Sequence, residues 1–185
     1  ITSSTDVNIT GCSILSNVYG GGNAGEVRGP TDVDITNSNA VNVYGGGMAA
    51  NVSTTDIAIT GSTISKNVYG GGEEGQVVNS LGDSTKVSMQ TSHASNVYGG
   101  GKGANASVGG STSVSIENSN IVSSTDETTG ELINGNVFGG GDQGKVFADT
   151  LINITENTKV EGIVYGGGNR ADVDGNTSVA LDSSE

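Results

Sequence analysis

The sequence predicts an all-β fold, a right-handed parallel β-helix with three short strands per coil of ~25 residues and about six to seven coils. Three observations predict it. A Gly-rich anchor string returns six times along the 185 residues. A Thr-led string with period-two apolar alternation stands upstream of each anchor. The hydrophobic fraction is only 32%, too low for a spherical core but enough for a thin, elongated one.

The anchor reads Asn-Val-Tyr-Gly-Gly-Gly at Asn17–Gly22, Asn42–Gly47, Asn67–Gly72 and Asn96–Gly101. Phe replaces Tyr at Asn136–Gly141, and Ile replaces Asn at Ile163–Gly168. The aromatic positions 19, 44, 69, 98, 138 and 165 are spaced by 25, 25, 29, 40 and 27 residues. The upstream string is Thr5–Thr10, with copies at Thr31–Thr36, Thr55–Thr60, Thr85–Gln90, Thr112–Glu117, Thr150–Thr155 and Thr177–Asp182. Its apolar pairs, such as Val7/Ile9, Val33/Ile35 and Ile57/Ile59, alternate with polar residues, the pattern of a half-buried strand. A third, weaker segment follows each anchor, as at Glu26–Arg28, Asn51–Ser53 and Gln76–Val78.

Strands this short cannot stand alone. Coiled together, each rung can hydrogen-bond to the next with like residues stacked at ~4.8 Å. Left-handed β-helices favour six-residue units, which 25 does not accommodate, and crossovers are in general right-handed. The whole chain, residues 1–185, reads as one repeat domain, and its opening at Ile1 inside a repeat leads to the expectation of a piece of a longer protein.

Seven basic against twenty acidic residues give a net charge of −13. That balance argues against nucleic acid or an anionic membrane surface as partner. No apolar run approaches the ~18 residues of a membrane span. The lone Cys12 and lone His93 have no partners for nucleophilic or acid–base chemistry, so no catalytic residue is expected. Cys12 shares a column with Ser38, Ser62, Ser92 and Ser119, and His93 shares one with Asn39, Thr63 and Asn120; both columns read as turns.

The Val column (Val18, Val43, Val68, Val97, Val137, Val164) reads as the inward spine. Strict alternation then turns the next column, Tyr19, Tyr44, Tyr69, Tyr98, Phe138 and Tyr165, outward, where it would offer sugar rings or a partner's sheet an aromatic binding ladder. The alternative is structural: the rings cover a Gly-rich corner, or turn inward and stack with their neighbours. The Gly triplets read as corners that need positive φ. They lack the spacing and the following helix of a phosphate loop. Asp6, Asp32 and Asp56 share a column that would repel itself unless solvated or bridged by calcium, with Asp34 as a nearby oxygen donor. The calcium-roll nonapeptide is missing, and no other cofactor is indicated. The longest interval contains an insertion around Ser123–Gly135, read as a loop on one side of the rod.

The Val-Tyr-Gly-Gly-Gly anchors with their Thr-led strands resemble the Gly-rich β-helical repeat regions of very large bacterial surface proteins and adhesins, from Thr5 to Asp182. The resemblance implies an extracellular, cell-surface stalk or adhesive segment without catalytic residues, whose partner is a glycan or a surface protein. A polysaccharide lyase-like β-helix is the enzymatic alternative, although the seven basic residues fall at scattered repeat positions. An ice-binding array fits poorly with the irregular column Asn8, Asp34, Ala58, Ser88. Unpaired edge strands also allow end-to-end self-association into a filament.

Overall fold

The computed structural model describes residues 3–127 and 129–182. No helix occurs among them. Seven long strands, Thr5–Thr10, Thr31–Thr36, Thr55–Thr60, Asp83–Gln90, Ser111–Glu117, Thr150–Thr155 and Thr177–Asp182, form one parallel sheet in chain order. The anchors form a second parallel sheet of six strands. Its register is the one that repetition dictates, Val on Val and aromatic on aromatic, from Val18↔Val43 to Val137↔Val164. The chain is a parallel β-solenoid of about seven turns.

Two of the expected strand assignments change. The segment after each anchor makes only single bridges, Val27↔Val52↔Val77↔Val108↔Val146↔Val173. The third sheet lies instead just after the long strands, at Asn39–Ala40, Thr63–Ile64, His93–Ala94, Asn120–Ile121 and Lys159–Val160. The His93 column is therefore strand, not turn. Its second residue (Ala40, Ile64, Ala94, Ile121) enters the core, and a two-residue strand is too short to show alternation.

The main core joins the inward residues of the long strands, the anchor valines and that short strand. The bridge valines form a second compartment. Two of them pack on the middle glycine of a triplet: a Cβ built on Gly21 would lie 2.8 Å from Val52 Cγ1, and one on Gly140 3.1 Å from Val173 Cγ2. None of the triplet glycines has positive φ, which corrects the corner reading. They are glycine because backbone stacks on backbone with no room for a Cβ. A methyl on Gly20, Gly45, Gly70, Gly99 or Gly139 would overlap the carbonyl oxygen of the first triplet glycine one rung on.

Polar columns tie the rungs. The leading Thr of each of the first six long strands donates its hydroxyl to the first triplet carbonyl of its own coil, from Thr5 to Gly20 at 2.5 Å through Thr55 to Gly70 at 2.6 Å to Thr150 and Gly166 at 2.5 Å. The Ser column is buried rather than a surface turn. Ser38, Ser62, Ser92 and Ser119 each accept the backbone N–H of the rung before, at 3.0–3.2 Å, and donate to a carbonyl two residues back. Buried hydroxyls satisfied on both sides avoid the desolvation penalty of a polar interior.

Positive φ is concentrated elsewhere, at the corner after the long strand: Gly11, Asn37, Gly61, Thr91, Asn118 and Glu156. Thr91, at φ 51°, is β-branched in a region that costs such residues about 1–2 kcal/mol. Thr91→Asn copies the residue that the same corner uses at positions 37 and 118. It is expected to raise stability by about 1 kcal/mol, read as a higher urea midpoint at unchanged slope; an unchanged or lower midpoint contradicts the strain argument.

Candidate functional site

The aromatic column obeys alternation without meeting water. Each anchor valine enters the main core, and each aromatic leaves by the opposite face of the strand. There the six rings stack on one another with centroids 4.7–4.9 Å apart and planes within 7°. At a van der Waals separation of ~3.5 Å, this spacing places each ring about 3.3 Å off its neighbour's axis, the offset arrangement that aromatic quadrupoles favour. Tyr44, Tyr69, Tyr98 and Phe138 are only 1–5% exposed. This overturns the outward-facing binding ladder: the ring faces are occupied by other rings, and a sugar cannot stack on them. Tyr19 is half-buried and Tyr165 is 39% exposed.

Residues after the triplets close over the hydroxyl ends of the rings. The Tyr19 hydroxyl donates to Glu73 Oε2 at 2.5 Å, and Lys102 Nζ reaches Glu73 Oε1 at 2.8 Å. Burial pulls the Glu73 carboxyl upward, but the Lys102 ammonium and the Tyr19 phenol outweigh it and hold the group below the usual range. Burial and Glu73 push the Tyr19 phenol up to about 12. Burial drives Tyr44, Tyr69 and Tyr98 higher still, with Glu73 adding to it at Tyr44 and Asp142 at Tyr98. Asp142 is itself buried and is held by Arg170, whose Nη2 lies 3.1 Å from both carboxylate oxygens. All seven basic residues are within 4.0 Å of a carboxylate.

Asp6, Asp32 and Asp56 stack in register on the outer face of the long-strand sheet. With Asp34 they border an open hollow of 370 Å³. Burial raises the Asp56 carboxyl above its ordinary range, Lys86 opposes that, and Asp32 adds to it. The column is real, but among the described residues no three acidic, His or Cys side chains are placed to hold a metal ion. Cys12 is exposed at the start of the Ser column.

The insertion carries a short hairpin. Ser124–Thr125 pairs antiparallel with Leu132–Ile133, in contrast to the parallel pairing of the solenoid. The hairpin lies back along the rod over earlier rungs. Lys66 Nζ bonds Asp126 Oδ2 at 2.7 Å, and the Ser95 and Ser124 hydroxyls meet at 2.5 Å. Glu161 accepts both the amide and the hydroxyl of Ser123, at 3.0 and 2.9 Å; with Lys159 first and Ser123 next, these contacts hold its carboxyl down to about 2. Folding back leaves two cavities, of 520 and 300 Å³, one on each side of Lys66. Lys66 was not singled out from the sequence; the 40-residue interval was the only signal pointing to this place.

Fold and site together define a parallel β-solenoid with an aromatic ladder and one hairpin-capped flank. Comparison with known proteins adds no relative: no family model, no curated protein and no solved structure matches the chain.

Proposed function

We propose that the chain is a non-catalytic rod segment of an extracellular bacterial surface protein, holding an adhesive surface away from the cell. The observation that carries this reading is the use made of the repeated side chains. The Thr, Ser and aromatic columns are all taken up by the rod itself, Thr clipping its own coil, Ser bonding coil to coil and the rings stacking on one another. What the coils share therefore mainly serves the rod, and recognition centres where the repeat is interrupted, above all along the folded-back hairpin and the coils it covers. The spread of all seven cations into separate ion pairs weighs against a lyase, which needs a basic group free to take a proton.

The test is display of the chain on a non-adherent bacterium, with retention measured on mucin-coated and matrix-protein-coated surfaces. Retention is expected to rise above that of the undecorated cell. Unchanged retention overturns the adhesive reading, and release of new chain ends from an acidic polysaccharide overturns the non-catalytic one.

A further inference from the structure

We infer that the 300 Å³ cavity between the hairpin and the anchor sheet is a binding site for a neutral saccharide unit. The inference rests on the adhesive reading and names the site and ligand class that would carry it. The cavity is bounded by Tyr44, Tyr69, Asn67, Lys66, Lys102 and the apolar pair Leu132–Ile133 of the hairpin.

Three polar groups there are left over by the fold. The Tyr44 and Tyr69 hydroxyls have no hydrogen-bond partner among the described residues, whereas that of Tyr19, two rungs away from Tyr69, is bonded to both Glu73 and Asn17. Asn67 Oδ1 is buried and unpartnered. Elsewhere in its column the same atom is used: Asn42 Oδ1 accepts the amide of Asn67, Asn96 Oδ1 that of Asn136, and Asn136 Oδ1 that of Ile163. That acceptor lies too deep to be reached from the cavity, so it is the two phenols, on residues that border it, that call for an occupant able both to donate and to accept.

A sugar hydroxyl does both. The lining is mostly polar, which suits the hydroxyl-rich edge of a sugar, and the Leu132–Ile133 strand contributes a small apolar share for its C–H face. Charge selects the neutral class. Lys66 and Lys102, the two ammonium groups at the site, are neutralised by Asp126 and Glu73, and Glu131 adds a further negative charge. No net positive charge remains for a carboxylate or a sulfate. Recognition is thus by the edges of the aromatic column, through its hydroxyls, and not by the ring faces. The 520 Å³ cavity beyond Lys66 gives a second unit of the same chain somewhere to lie.

The test uses the full chain on an array of neutral hexose- and N-acetylhexosamine-terminated oligosaccharides, with sialylated and sulfated ones alongside. Tyr44→Phe/Tyr69→Phe removes both free hydroxyls while keeping the stack, which already carries a phenylalanine at position 138. Tyr98→Phe removes a hydroxyl that does not border the cavity. Wild type and Tyr98→Phe are expected to bind a subset of the neutral glycans, with the double variant weaker by about tenfold or more at unchanged thermal stability. Equal binding by the double variant, or preference for the acidic glycans, overturns the site. Silence across the array with retained adherence of displaying cells overturns the site and leaves the adhesive rod standing; silence together with lost adherence overturns both.

Discussion

Above pH ~10 the protein is expected to lose about 4 kcal/mol of stability for each further pH unit. The cause is the ring stack. Burial holds the Tyr44, Tyr69 and Tyr98 phenols neutral far beyond their ordinary range. A phenol whose folded pKa is raised contributes stability that is complete below the unfolded value near 10. As pH climbs past that value, the unfolded chain releases its protons and the folded chain does not, so the contribution shrinks until the folded pKa is reached. Three such groups give three protons of difference, each worth about 1.4 kcal/mol per pH unit. Tyr19, raised to about 12, adds to the slope only over its first part and is left out of the count. Against a total stability of about 5–15 kcal/mol, the rod should unfold within a few units above pH 10. The tyrosinate absorbance and the loss of β-sheet circular dichroism should then rise together, in one cooperative step. Gradual tyrosinate formation with the β signal intact would show that the rings are wet. Each Tyr→Phe change at 44, 69 or 98 should flatten the slope by about a third.

That stack also shows how far the sequence could be read. Repetition made the columns visible, so the spine from Val18 to Val164 and the register of the seven long strands followed from counting alone. Alternation correctly placed Tyr19 and its successors on the other side of the strand from valine. It could not say whether that side was wet, because burial there comes from the rings themselves and from Glu73, Lys102 and Asp142, which belong to other rungs. The Gly triplets misled for a related reason: a residue without Cβ serves both positive φ and close backbone contact, and sequence cannot separate the two. The true positive-φ corner was hidden because only Gly11 and Gly61 in that column are glycine, while Thr91 and Glu156 carry side chains. The cavity was the least legible part. Lys66 and Asp126 are 60 residues apart and share no repeat position, so nothing periodic connects them.

The largest single-residue effect is expected at the triplets, where Gly70→Ala should cost about 2–6 kcal/mol. Its new methyl would meet the Gly99 carbonyl, with Thr85 Cβ only 3.2 Å away. That carbonyl cannot move freely. Thr85 Oγ1 holds it at 2.6 Å, and Tyr69 and Tyr98, one residue before each glycine, are locked in the stack at 4.8 Å. Overpacking of a rigid site costs about 1–3 kcal/mol, and breaking a buried hydroxyl bond adds about 1–3 kcal/mol. Gly25→Ala is the contrast. Nothing lies within 4 Å of its built Cβ and its φ is not positive, so alanine should be neutral or stabilise by about 0.5 kcal/mol through the unfolded chain. Urea unfolding followed by circular dichroism separates the two. If both variants unfold at the wild-type midpoint, the rungs have slack at the triplets, and close backbone stacking is not what makes them glycine. If Gly70→Ala alone collapses, the six triplets are the places where one coil is allowed to touch the next, and the Thr clips and aromatic stack are held in register by that contact.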